Sequence, residues 1–334
     1  MLRVGVLGAG FMGGTHARAY HGLPDVEVAG IYAPSERRGG PLAAELGTLW
    51  TDDLDRLLGD GSIDAVSVCL PTPEHRPATE AAIAAGKHVL LEKPIALTLA
   101  DADALVDPAA ASDRTVMVAH VLRFWPEYVE LQRLVGSGDL GRPLSALATR
   151  RQPFPAWSAL FARSDLTGGA VVDMMIHDFD ALNWLFGAPG AVTAFGHRNP
   201  RSGGWDQTQV AVDYGAASAL VDGGMMMPES YPFSSSLQVL CERGAVEYHF
   251  RAGGRSVEMG GVNDLVLYPA DGDPVRLEVE QRDPYAAEVA YFVDCLLTGR
   301  PADRATPEDA RLALRVALAA RDAVEQGQTV PIKP

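Results

Sequence analysis

The chain has 334 residues, of which 47% are hydrophobic and 21% charged, the balance of a globular protein long enough for two domains with separate cores. A formal net charge of −15 sets long-range repulsion against nucleic acid and anionic membranes, which are excluded as main partners. Cys69, Cys241 and Cys295 lie far apart, so neither a disulfide framework nor a zinc-binding pair is expected.

Residues 1–120 alternate apolar runs at 3–7, 26–32, 65–70, 88–91 and 115–119 with helical patterns near 12–20, 36–46, 53–58, 77–85 and 99–108. Alternation at this spacing predicts right-handed crossovers and a doubly wound parallel sheet, an α/β Rossmann-type domain whose ligand lies beyond the carboxyl ends of the strands. The opening residues run straight into the first strand, and no stretch reaches the roughly 18 apolar residues of a membrane span. A cytoplasmic protein is expected.

The first strand ends in Gly8-Ala9-Gly10-Phe11-Met12-Gly13, a G-x-G-x-x-G loop opening a helix. Gly8 and Gly10 allow a tight turn and close approach to a pyrophosphate, and Gly13 allows the helix to pack on the sheet. Phe11 and Met12 complete the expected cofactor seat. The second strand should end near the adenine ribose. There the chain reads Ala33-Pro34-Ser35-Glu36-Arg37-Arg38, with no aspartate. An aspartate would repel a 2′-phosphate, whereas Ala33 and Ser35 leave room for one and Arg37 and Arg38 can pair with it. NADP is therefore expected ahead of NAD, although Glu36 offers an NAD ribose a partner and the arginines have the alternative of a solvated helix start.

At the next functional strand end, Leu70-Pro71-Thr72-Pro73-Glu74-His75 forms a stiff turn. Leu70, Thr72 and His75 are expected near the ribose or nicotinamide, with a surface helix start as the alternative for His75. The following strand ends in Glu92-Lys93-Pro94, which places Glu92 and Lys93 at the same sheet edge, where both are expected to contact the cofactor. From 121 the pattern changes, so the domains are drawn as 1–120 and 121–334. His120 and Arg123 in the junction, and Trp157 or Arg163 in the loop 152–164, are candidate substrate contacts; packing alone would equally account for Phe124 and Trp125.

The segment 168–187 reads as one helix with a broad apolar face, ended by Gly187. Asp173, His177 and Asp180 share one side of it, as an acid/base pair with an orienting group or as a satisfied polar seam. Strands are expected at 143–151, 192–198, 207–214, 218–222, 235–242, 244–250, 256–259 and 265–268, in an antiparallel meander, with adaptable packing at 223–233 around Met225-Met226-Met227. Helices follow at 130–134, 284–297 and 306–326.

In their order and spacing, G-A-G-F-M-G, P-T-P-E-H, A-G-K-H-V-L-L-E-K-P and G-G-A-V-V-D-M-M-I-H-D-F-D resemble the Gfo/Idh/MocA family of NAD(P)-dependent oxidoreductases. The resemblance spans the chain. It implies hydride transfer at a secondary alcohol or ketone of a sugar- or polyol-like substrate, with Lys93, Asp173 and His177 at the catalytic positions and also in contact with substrate. It implies a C-terminal α+β domain with a large open, mostly antiparallel sheet, a homodimer or homotetramer formed through that sheet, a cis Lys93–Pro94 bond and no metal. Asp180 has no catalytic match. A nucleotide sensor without catalysis, and a metal-dependent lyase or hydrolase using Asp173, His177 and Asp180, are the readings from other classes.

Overall fold

The computed structural model describes residues 1–253 and 261–333. In chain order its first elements are β1 (Leu2–Leu7), α1 (Phe11–His21), β2 (Val26–Tyr32), α2 (Glu36–Leu46), β3 (Trp50–Thr51), α3 (Leu54–Leu58), β4 (Ala65–Val68), α4 (His75–Ala84), β5 (His88–Glu92), α5 (Leu99–Ala111) and β6 (Val116–Ala119). Then come α6 (Pro126–Gly136), β7 (Pro143–Pro153), α7 (Ser164–Thr167), α8 (Gly169–Asp173), α9 (Ile176–Phe186), β8 (Ala191–Arg198), β9 (Trp205–Asp213), β10 (Ser218–Met227), β11 (Ser234–Cys241), β12 (Gly244–Arg251), β13 (Val262–Pro269) and β14 (Val275–Arg276). The chain ends with α10 (Pro284–Thr298), α11 (Pro307–Gln326) and β15 (Val330–Pro331). The strand expected at 256–259 lies outside the described residues. Among the described residues no helix is long and apolar enough to cross a membrane.

Two compact units emerge, Met1–Trp125 with Arg282–Arg311, and Pro126–Gln281 with Leu312–Pro334. The cut at 120 misses the return of 282–311 to the first unit. The physical cause is α10, whose Val289, Phe292 and Val293 join the core formed with Ala17 and Tyr20 of α1. A sequence read from left to right gives no sign of that return.

The first unit is a parallel sheet in the order β3-β2-β1-β4-β5-β6, the doubly wound arrangement expected. Strand order reverses between β1 and β4, so the loops after these two strands form the binding edge. The buried strands are rich in Val, Leu and Ile, as both faces of the sheet are covered by helices.

The second unit carries a nine-stranded sheet in the order β14-β13-β12-β11-β7-β10-β9-β8-β15. It is mostly antiparallel, but β7 and β10 pair in parallel, Leu147 beside Leu220, so it is not a simple meander. The crossover between them contains α7, α8 and α9, which places the helical segment against the sheet. One face, with Ala146, Ala148, Val210, Val221, Leu237 and Val246, is buried. Residues 223–227 continue β10, and Met225 packs with Ala170 and Met174 as the adaptable contact expected.

Candidate functional site

The glycine loop is built as its spacing demands. Gly8 has φ +112°, a conformation natural to glycine, and a Cβ there would overlap the Cys69 carbonyl at the end of the neighbouring β4 segment. A Cβ on Gly13 would overlap the Gly8 carbonyl oxygen, so α1 can start this close to β1 only with glycine. Gly10 differs: its Cβ would meet nothing within 4 Å. As the N-cap of α1 it supplies no side-chain hydrogen bond, and the first turn has no acidic residue. The positive end of the helix therefore starts without a side-chain cap or an acid, beside open space at Gly10, the chemistry a pyrophosphate requires. Phe11 is exposed and Met12 half-buried beside this opening.

At the end of β2, Ala33 is buried and its carbonyl accepts from Trp50 Nε1 at 3.1 Å. Ser35 caps α2 without a side-chain hydrogen bond. Arg37 and Arg38 are both exposed.

His75 is only 1% exposed, with Nδ1 2.9 Å from the Pro94 carbonyl oxygen and Nε2 2.9 Å from that of Leu70. Its ring ties the turn after β4 to the turn after β5, and burial pushes its pKa down. Leu70 and Thr72 remain half-buried at the edge.

Glu92 closes β5. Its side chain is buried, one carboxylate oxygen accepting from the Lys93 backbone N–H at 3.0 Å and the other 3.2 Å from His16 Nε2. Glu92 thus underpins the turn from inside. Lys93 precedes Pro94 through a cis peptide bond. From Val89 to Ala96 every residue is buried except Lys93.

In the second unit the expected single helix is two. After α8 the chain takes a wide turn, with both Met174 N–H and Met175 N–H donating to the Ala170 carbonyl, before α9 begins. Met175 sits against Gly223 of β10, where a Cβ would lie 2.6 Å from its Cγ. Packing thus interrupts a segment whose apolar periodicity reads as continuous. From Gly169 to Asn183 every residue is buried except Asp173 and His177. Asp180, fully buried, belongs to the interior.

Two carboxylates with no signal in the local pattern hold this segment. Asp206 Oδ1 accepts from the Ala170 N–H at 2.9 Å, at the start of α8, while its Oδ2 accepts from Ser202 Oγ. Asp178 receives a two-pronged ion pair from Arg150 of β7, at 2.8 and 3.0 Å, with both side chains buried.

The remaining expected substrate contacts divide. His120 is fully buried, and Arg123, 3% exposed, donates to the Arg304 carbonyl at 2.7 Å and pairs with Asp309 at 3.1 Å within the first unit. Trp157 is 71% exposed, its ring edge-on to Phe161, and Arg163 pairs with Asp165 on the surface.

Residues 2–120 match the model of the GFO/IDH/MocA oxidoreductase family with its NAD-binding Rossmann fold, and residues 128–247 match a C-terminal domain model of the same family. An inositol 2-dehydrogenase of Streptomyces avermitilis is 30% identical over 317 residues, covering 90% of this chain and 85% of that protein. A myo-inositol 2-dehydrogenase of Thermotoga maritima is 27% identical over 99% of both chains. GenD2 from gentamicin A biosynthesis, solved in complex with NAD, superposes with a TM-score of 0.86 at 26% identity, covering 100% of this chain and 97% of its own. Its glycine loop, the E-K-P turn and the D-x-x-x-H segment stand on the fold these matches describe, and the chain belongs to the Gfo/Idh/MocA family of oxidoreductases.

Proposed function

We propose that this enzyme moves a hydride between a nicotinamide dinucleotide and the carbinol carbon of a sugar- or polyol-like substrate, with Lys93, Asp173 and His177 acting on the same substrate. The observation that carries this reading is selective exposure: Lys93 is the one residue of 89–96, and Asp173 and His177 are the two of 169–183, that are not buried. Groups with chemistry are kept accessible on rigid, otherwise packed segments. Two relatives named as inositol dehydrogenases support the substrate class.

When bound, the dinucleotide supplies the nicotinamide carbon that exchanges the hydride. The uncapped start of α1, opposite Gly10, holds its pyrophosphate. His177 takes the hydroxyl proton, Asp173 orients the imidazole or binds neighbouring hydroxyls, and Lys93 hydrogen-bonds the reacting oxygen and stabilises its developing negative charge. The converse proton route, with Lys93 as acceptor and His177 as relay, uses the same groups. Exposed Arg37 and Arg38, in the absence of an aspartate at the end of β2, support NADP over NAD. We assign homodimer or homotetramer formation to the outer face of the nine-stranded sheet.

A panel of inositols, hexoses and sugar acids, each assayed with NADP and NAD by nicotinamide absorbance, tests the substrate class and the cofactor preference together. His177→Ala is expected to lower kcat by roughly 10²- to 10⁴-fold, the range for loss of a general base, with dinucleotide affinity within about threefold. Unchanged turnover in this variant, or a clear NAD preference, overturns the corresponding part of the reading.

A further inference from the structure

The loop 8–13 and the lysine turn follow different strands, yet a line of buried polar groups joins them inside the first unit. Tyr20 Oη lies 3.0 Å from Ser67 Oγ, Ser67 Oγ lies 3.1 Å from His16 Nδ1, and His16 Nε2 lies 3.2 Å from Glu92 Oε1. The other Glu92 oxygen accepts the Lys93 N–H. His16, Tyr20 and Ser67 are fully buried and Glu92 nearly so.

Glu92 as a carboxylate only accepts, so His16 Nε2 faces it at 3.2 Å as an ion-pair contact that falls short of hydrogen-bond geometry. His16 Nδ1, Ser67 Oγ and Tyr20 Oη continue the line within hydrogen-bond distance of one another. Burial pushes the Glu92 carboxyl up, but the contact and charge of His16, followed by Lys93 and His75, hold it below the ordinary glutamate value, so the carboxylate persists. His75 grips the same turn at the Pro94 carbonyl.

His16 sits in the second turn of α1, the helix whose first turn faces the proposed pyrophosphate seat. We propose that His16 is a positioning residue: through Glu92 it fixes the backbone of Lys93, so that the dinucleotide-binding helix and the lysine turn hold their relative placement as one body. This rests on the reading of Lys93 as a substrate-facing group. Misplacing such a group by about 1 Å can cost on the order of 10²-fold in rate, which is what the line of buried polar contacts prevents.

Lys87, Lys93 and Lys333 are the only lysines of the chain, so [15N]lysine labelling gives three backbone amide signals. In the apoenzyme, His16→Leu is expected to speed hydrogen exchange of the Lys93 amide at least about tenfold while that of Lys87 stays unchanged. With the best substrate of the panel, kcat should fall about tenfold or more, while the NADPH dissociation constant, read by fluorescence, stays within about threefold. His16→Gln, which keeps a donor toward Glu92, should recover most of both effects. The double variant His16→Leu/Glu92→Gln should be no slower than the slower single variant, because both act along one line.

A Lys93 amide indifferent to His16→Leu overturns the proposal, as does a loss that glutamine does not recover. Where His16→Leu does not fold, His16→Ala and Glu92→Gln with their double carry the same cycle, and additive losses there overturn it. Lys93→Ala separates the two levels. Full turnover in that variant removes the reading of Lys93, whereas an inactive Lys93→Ala beside an unaffected His16→Leu removes only the role of His16.

Discussion

A methyl group at position 10 would meet nothing within 4 Å, whereas one at position 13 would run into the Gly8 carbonyl oxygen. The two glycines therefore serve different ends, and alanine distinguishes them. Gly10→Ala should fold with a Tm near that of the parent, yet bind dinucleotide at least about tenfold more weakly, because its Cβ enters the space before the uncapped helix. Gly13→Ala should lose stability outright, because backbone must move. Calorimetry and dinucleotide titration on the same two variants check both; equal binding by Gly10→Ala would place the anion elsewhere. Glu92 gives the residue scale a pH dependence. Its folded-state pKa is depressed. Its contribution to stability is therefore present above the unfolded glutamate value of about 4.3 and is lost as pH falls through the lower folded value. Urea midpoints measured down through this acid window should fall less steeply in Glu92→Gln than in the parent.

Elements show why some of the site was legible and some was not. The strand-helix alternation, the glycine loop and the strand end before Pro94 are local patterns, and the first unit follows them closely. Lys93, Asp173 and His177 stand out because their neighbours are apolar, and burial of those neighbours is what the structure adds. Contacts distant in sequence left no local signal. Arg150 meets Asp178 across 28 positions and Asp206 meets the start of α8 across 36, so neither partner could be singled out. His75 and Glu92 both lie at functional strand ends, and strand-end position does not say which way a side chain turns. The break before α9 follows from Met175 seating against Gly223, a tertiary contact that overrides the helical period. Arg150–Asp178 fixes α9 to β7 next to His177. Asp178→Asn should cost about 3–5 kcal/mol by leaving the guanidinium buried beside a neutral group, whereas Arg150→Met/Asp178→Leu should recover much of that loss. Chemical denaturation of the single and double variants measures it, and an Asp178→Asn variant as stable as the parent would show that the pair carries no such weight.

At the scale of the assembled molecule, what counts is the two faces of the second unit's nine-stranded sheet. One is buried under α8 and α9, and the other carries Leu147 beside Leu220, Leu240 and, two strands from it, Tyr268, with Phe195 74% exposed. An apolar surface of this kind is costly to leave in water, and a broad self-complementary sheet face suits a symmetric contact. Its polar groups point the same way. Arg151 and Gln207 donate to Asp222 at 2.6 and 3.0 Å, and Gln209 donates to it at 3.2 Å, so the carboxylate is satisfied within one chain and can be covered without being stranded. We therefore expect light scattering to return twice or four times the 35.5 kDa chain mass. Leu220→Glu places a charge at the centre of the face, where the two-fold operation of a symmetric contact repeats it, and like charges held close disfavour the pairing. It should shift the mass to that of one chain with an unchanged circular dichroism spectrum, since the Leu220 side chain is 44% exposed and plays no part in the covered core. A parent protein that scatters as a monomer, or a Leu220→Glu variant that keeps the parent's mass, would remove this face as the interface.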